Sequence, residues 1–265
     1  MKLVVLGDPV AHSLSPVIQN AALRAAGVPG EYRTRRVDEA GVRQAIEELR
    51  SGDLDGANVT MPHKRIAAEL CDMLDPQAER AAAVNTLVRV GDDVVGYNTD
   101  IAGVRDVWKT AGLPDFGPVM VLGAGGAAAA ALLALESREL FVSARDIGKA
   151  RALVDDLGVS ADLIPWENPV IGASIVNATP LGMKGEELPG PVIKVCVALF
   201  DMTYRDSLTP ALEEAKRREI PRADGEEMLL AQGIESFRLW TGIDPNRAAM
   251  RAALGEIQSS PEGAI

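Results

Sequence analysis

Val119-Met120-Val121-Leu122-Gly123-Ala124-Gly125-Gly126-Ala127-Ala128 reads as a buried strand, a glycine turn and the start of an alanine-rich helix. It fits the G-x-G-x-x-A form of the dinucleotide fingerprint. In that reading Gly123 makes the turn, Gly125 lets the backbone approach a pyrophosphate, and Ala128 allows the helix to lie close to its strand. The helix N-terminus then offers unpaired amides to an anion. The string by itself also suits any tight strand-to-helix turn, so the flanking pattern has to decide.

Downstream, strands are expected at Leu140–Ser143, Ser174–Asn177 and 195–200, with a helix over 146–157. Upstream, strands are expected over 2–7, 31–37 and up to Thr60. Helices should follow from Ser13-Leu14-Ser15-Pro16 to about Ala26, over 39–50, and from Pro62 onward, with a hydroxyl cap and a proline in the first turn of the first. Gly91-Asp92-Asp93 marks a hairpin, and a helix runs from about Thr99 to Ala111. The final third reads as helical, with 259–265 a frayed tail. Alternating strand and helix give an α/β class with a doubly wound parallel sheet.

Bulk properties narrow the function. The 265 residues carry a net charge of −11, which repels a phosphate backbone and argues against nucleic-acid binding. Any phosphate on a ligand must be held by helix amides and a few placed cations. No apolar run approaches the ~20 residues of a membrane span. The opening apolar run is too short for a signal peptide, so a cytoplasmic location is expected. The two cysteines and two histidines fit no metal-ligand spacing.

A ribose-reading residue belongs at the end of the next strand, ~20 residues after the turn. That position reads Ser143-Ala144-Arg145-Asp146, with Lys149 a turn later. Arg145 and Lys149 form a cationic clamp suited to the 2′-phosphate of NADP. Asp146 can instead neutralise Arg145 or bind a ribose hydroxyl, which keeps NAD open as a cofactor.

Two further residues stand out. In Asn58-Val59-Thr60-Met61-Pro62-His63-Lys64, the lysine falls in a first helical turn. A cation there opposes the macrodipole at roughly 0.3–1 kcal/mol. An acid–base lysine can use such a position, although a surface lysine occupies it too. In Asn98-Thr99-Asp100 the carboxylate suits a helix N-terminus, which equally describes a plain cap. His12 and His63 are weaker candidates for the base.

These blocks come in a fixed order. Gly7-Asp8-Pro9 through Ser13-Leu14-Ser15-Pro16 is followed by Asn58 to Lys64, Ala83-Val84-Asn85-Thr86, Asn98-Thr99-Asp100 and the glycine turn. Asn177-Ala178-Thr179-Pro180-Leu181-Gly182-Met183, Asp201-Met202-Thr203-Tyr204 and Asp224-Gly225 through Gln232-Gly233 complete the set. In content and order it resembles the shikimate and quinate dehydrogenase family, from Lys2 to about Gly242.

The resemblance implies reduction of 3-dehydroshikimate with NADPH in a two-domain enzyme. Residues 1–100 with about 233–265 would form a substrate-binding α/β domain. About 101–232 would form a Rossmann-type dinucleotide-binding domain, separated from the first by a cleft. Lys64 and Asp100 match the catalytic pair. Ser13, Ser15, Thr60, Asn85, Tyr204 and Gln232 match the substrate positions. Gly123, Ala124, Gly125, Gly126, Ala127, Arg145, Lys149, Met202 and Gly225 match the cofactor side. A hydroxyl- and amide-rich pocket suits a polyhydroxy acid. Ser13-x-Ser15 is the pattern of shikimate rather than quinate users. Ala144-Arg145-Asp146 departs from the family's Asn-Arg-Thr or Asn-Arg-Ser, so dual use of NADP and NAD stays open. A quinate or aminoshikimate dehydrogenase is the alternative among enzymes. A non-catalytic shikimate sensor is the alternative outside them.

Overall fold

The computed structural model describes residues 1–205 and 207–258. The tail expected at 259–265 lies outside them. The chain divides into two compact units, one of Met1–Thr99 with Gln232 onward, the other of Asp100–Ala231.

The first unit is built on a six-stranded sheet. Its strands are β1 (Lys2–Gly7), β2 (Glu31–Arg36), β3 (Gly56–Val59), β4 (Met73–Leu74), β5 (Thr86–Val90) and β6 (Asp93–Tyr97). The order is β2-β1-β3-β5-β6-β4, with β5 antiparallel to both β3 and β6. The helices are α1 (Ser15–Ala25), α2 (Glu39–Ser51), α3 (Lys64–Leu70) and α4 (Pro76–Ala81). Leu6, Ile46, Leu49, Ala57, Leu87 and Val94 are fully buried between α2, α3 and one sheet face. Local chemistry sets the ends of α2: the Asp38 carboxylate accepts from Gly41 N, and Gly52 takes the left-handed conformation.

Two helix starts differ from expectation. No hydroxyl caps α1; its N-cap is Leu14, and Ser13 Oγ instead accepts from Ser15 N at 3.2 Å. That bond tightens the turn before the helix and takes the place of a cap. Pro62 does not open α3 either. The helix begins at Lys64 after a turn closed by His63 N donating to Thr60 O, so Pro62 stands two residues ahead of it.

The second unit contains α5 (Thr99–Thr110), β7 (Val119–Leu122), α6 (Gly126–Ala134), β8 (Leu140–Ser143), α7 (Ile147–Leu157), β9 (Asp162–Ile164) and β10 (Ser174–Asn177). It continues with α8 (Gly190–Val195), β11 (Ala198–Asp201), α9 (Pro210–Arg217) and β12 (Arg222–Ala223). All six strands are parallel in the order β9-β8-β7-β10-β11-β12. Numbered within the unit this is 3-2-1-4-5-6, the dinucleotide-binding Rossmann order. The strand expected from Val195 begins at Ala198, because Gly190–Val195 is helical. The final third is also less helical than expected, since β12 adds an edge strand there.

Helix α10 (Gly225–Thr241) starts in the second unit and returns the chain to the first, and α11 (Arg247–Gln258) follows. Gln19 Nε2 donates to Gly233 O and Trp240 Nε1 donates to Leu87 O. The Trp240 indole lies on Gly56, where a Cβ would come within 2.4 Å of Nε1. Among the described residues no helix is long and apolar enough to cross a membrane.

Gly56→Ala therefore forces the indole off β3. It should destabilise the protein by about 1–3 kcal/mol, read as a lower midpoint in urea. An unchanged midpoint would show that Trp240 does not hold α10 to this sheet.

Candidate active site

In the first unit the singled-out residues collect at one edge of the sheet. Ser13 and Ser15 follow β1, and Thr60 and Lys64 follow β3. Because β5 is antiparallel to β3, Asn58 pairs with Thr86, and Asn85 precedes β5 at that same edge. Thr86 also pairs with Tyr97, which brings Thr99 there as β6 ends. In open α/β sheets ligands bind outside the carboxyl ends of the parallel strands, which is where this edge lies. Gly7 makes room for it: a Cβ there would stand 2.5 Å from Thr60 Cγ2.

A buried hydrogen-bond cluster organises the edge. Asn58 Nδ2 donates to Asn85 O (2.9 Å), Thr86 Oγ1 (3.0 Å) and Ser236 Oγ (3.0 Å). Tyr32 donates its hydroxyl to Asn58 Oδ1 at 2.7 Å. Thr99 N, which can only donate, lies 2.8 Å from Asn85 Oδ1. This identifies the oxygen end of the Asn85 amide and directs its NH2 end the other way. Thr99 Oγ1 donates to the same Oδ1, and Ser236 Oγ donates to Gln232 O at 3.0 Å. Burial raises the Tyr32 phenol far above its ordinary range, which keeps it a donor.

Lys64 is the first residue of α3 and is half-buried, and its carbonyl accepts from Val84 N at 2.9 Å. Asp100 sits in the first turn of α5, directly after Thr99. His63 is buried with Nε2 2.8 Å from Val37 O; the carbonyl can only accept, so the ring donates and is spoken for structurally. His12 is exposed. Burial pushes the Cys71 thiol up to about 12, away from the thiolate form that a nucleophile needs.

In the second unit the glycine turn joins β7 to α6. Gly123 has φ +119, and a Cβ there would meet Ala178 O at 2.8 Å, so only glycine fits between β7 and β10. Gly125 and Gly126 are exposed, and a Cβ on either would have no neighbouring atom within 4 Å. Their backbone faces open space at a helix N-terminus, the shape a pyrophosphate needs. Arg145, Asp146 and Lys149 are exposed at the end of β8. Asp146 Oδ1 accepts from Lys149 N at 3.1 Å, and Asp146 is the N-cap of α7. Among the described residues no ion pair joins Asp146 to Arg145, so the guanidinium is not neutralised by it.

Met202 and Tyr204 lie just past β11. Met202 N donates to Asn177 O, and Gly225 N donates to Thr203 O. A Cβ on Gly225 would stand 2.5 Å from that oxygen, so glycine permits the close approach. Burial raises the Tyr204 hydroxyl above its ordinary range. Sequence reasoning gave no role to Tyr32, Thr86, Ser236, Thr203 or Thr209, nor to Asn58 and Asp201 as buried anchors. A usable signal was present: Asn58, Asn177 and Asp201 each stand within or end a short apolar strand, where an unpartnered polar group is costly.

Asn58→Asp is isosteric but turns the donor end into an acceptor facing the Asn85 carbonyl, and the Thr86 and Ser236 hydroxyls must give up their own acceptors to turn toward it. It should cost roughly 3 kcal/mol in urea unfolding at neutral pH, with part regained as the pH falls and the carboxyl protonates. Wild-type stability at pH 7 would contradict the hydrogen-bond assignment.

Comparison with known proteins agrees with this geometry. A profile described as the shikimate dehydrogenase substrate binding domain matches residues 5–87. One described as the shikimate 5'-dehydrogenase C-terminal domain matches residues 225–254. A shikimate dehydrogenase (NADP(+)) of Thermus thermophilus is 36% identical over 258 residues, covering 96% of this chain and 97% of that protein. The Thermus thermophilus enzyme solved in complex with NADP(H) and shikimate superposes with a TM-score of 0.88 at 34% identity, over 97% and 99% of the two chains. The Listeria monocytogenes enzyme solved with shikimate and NAD gives 0.87 at 27% identity, over 96% of each. This chain belongs to the shikimate dehydrogenase family.

Proposed function

We propose that the protein is an NADP-dependent shikimate dehydrogenase, reducing 3-dehydroshikimate reversibly to shikimate in aromatic amino acid biosynthesis. The observation that carries this reading is the gathering of Ser13, Ser15, Thr60, Lys64, Asn85 and Thr99 at one sheet edge of the first unit, with the Asn85 amide held in one orientation. Ser13 and Ser15 hold the substrate carboxylate. Thr60, Asn85, Tyr204 and Gln232 hold the ring and its hydroxyls. A site built to hydrogen-bond hydroxyls rejects analogues that lack them.

A bound nicotinamide would supply the hydride that reduces the carbonyl carbon. Lys64 delivers a proton to the carbonyl oxygen as it becomes the hydroxyl, and takes it back in the reverse direction. Asp100 orients the neighbouring hydroxyl and offsets the charge of Lys64.

Gly123, Ala124, Gly125, Gly126 and Ala127 hold the pyrophosphate on the amides of α6, and Met202 and Gly225 border the nicotinamide. Arg145 and Lys149 take the 2′-phosphate, and use of Asp146 as a helix cap supports this choice. The remaining carboxylate oxygen of Asp146 is the feature that favours NAD as a second cofactor. The same reading places the protein in the cytoplasm, where Cys71 and Cys196 remain free thiols.

Lys64→Ala should lower kcat by about a hundred- to ten-thousand-fold with a much smaller effect on substrate binding. Unchanged turnover would remove Lys64 from the chemistry. Arg145→Ala should shift the NADPH-to-NADH ratio of kcat/KM toward NADH by roughly 10- to 150-fold, the size of one charge-assisted contact. An unaltered ratio would mean that Arg145 does not read the 2′-phosphate.

A further inference from the structure

Asp201 ends β11 and has no exposed surface. Its partners among the described residues are all neutral. Oδ1 accepts from Asn177 Nδ2 (2.8 Å), Thr203 N (3.1 Å) and Thr203 Oγ1 (2.9 Å). Oδ2 accepts from Thr209 Oγ1 at 2.6 Å. These donors come from three places along the same sheet edge. Asn177 ends β10, and its own Oδ1 accepts from Thr179 N and Oγ1, while its Nδ2 also donates to Leu181 O. Thr203 lies between Met202 and Tyr204. Thr209 caps α9 by accepting from Leu212 N.

A buried carboxylate without a cation is expensive. Simple packing at this point would be served better by an apolar side chain. A carboxylate, however, has two acceptor atoms, whereas an amide has one. Only an acidic side chain can satisfy all four donors at once. The loops tied together are those that follow β10 and β11, and Gly225 is joined to them through Thr203 O.

We propose that Asp201 is a positioning residue for the cofactor: its carboxylate ties the loops at 179–181 and 202–204 into the one arrangement that accepts the nicotinamide half of NADPH. The proposal rests on the functional reading above. In Asp201→Asn the amide NH2 faces either Thr209 Oγ1, whose proton then loses its acceptor, or the Asn177 and Thr203 donors. In both cases the frame loosens while the side-chain volume is kept. Thr203→Val deletes a single donor to the same oxygen without changing shape.

The test is NADPH binding to the full chain, followed by the quenching of protein fluorescence, with steady-state kinetics beside it. Asp201→Asn and Thr203→Val should each raise the NADPH Kd by about 3- to 10-fold, with KM for NADPH rising in parallel and kcat falling less. Ile46→Val, a core change in α2 of the first unit, should lower Tm yet leave the Kd within about twofold. Two folded variants that bind NADPH like the wild type would overturn the proposal. So would an equal loss in Ile46→Val, which would make the effect one of stability alone. Wild-type protein that fails to bind NADPH would refute the functional reading, and this proposal with it.

Discussion

Asn58 is a primary amide on a strand otherwise made of Gly56, Ala57 and Val59, and it is 6% exposed. Its oxygen and two protons have no water to turn to, so the protein must supply partners. The first unit is arranged to do so. Tyr32 comes from β2, on the far side of β1. Asn85 and Thr86 come from the start of β5, which must run antiparallel to reach this edge. Ser236 comes from α10, after the chain has passed through the second unit. Satisfying one amide thus fixes three separate stretches of sequence at one edge of the sheet. The cost of a mispaired group there enforces the geometry that the proposed site needs, so stability and recognition rest on the same bonds.

The second unit meets an equivalent constraint with different means. At the crossover between β7 and β10 the backbones approach so closely that Gly123 has no room for a Cβ against Ala178 O. This closeness leaves the amides of α6 open at the switch point of the Rossmann order. One strand further out the polar groups return, and Asp201 does for the second sheet what Asn58 does for the first. Neutral donors around an unpaired carboxylate give direction without a neighbouring cation that would itself attract the cofactor's phosphates.

The sequence displayed the parts governed by local rules. The glycine turn, the strand-helix alternation and the extent of α7 follow from periodicity and turn chemistry, and the structure has them within a residue or two, whereas the Asp146 cap of α7 was not read. The two-residue strands β4 and β12 were not legible, since pairing with a neighbour, and not their own composition, makes them strands. The cap of α1 and the start of α3 differ from expectation for a related reason, although α1 itself begins where expected, with Pro16 in its first turn. Ser13 and Pro62 have the residue types of a helix start, but both belong to the turn before it. Ser236 shows the limit most clearly. One serine on a long helix carries no local signal, and its importance comes only from meeting Asn58, 178 positions away in sequence.

Charge sets the last constraint. The chain carries −11 overall, yet both proposed ligands are anions. Fields from exposed carboxylates fade over a Debye length of ~8 Å at physiological ionic strength. Groups in contact with a ligand are not screened in this way. The binding edge can therefore work inside an acidic protein only if its own donors are local and held firmly. In the proposed site, serine and threonine hydroxyls, the Asn85 amide, the N-terminus of α6 and the Arg145 guanidinium would be donors of that kind. Asp146 would have spoiled the arrangement by sitting on Arg145, but α7 draws one of its oxygens to Lys149 N. A helix cap thereby engages one oxygen of Asp146, and in the proposed reading a purely local folding rule would bear on cofactor choice.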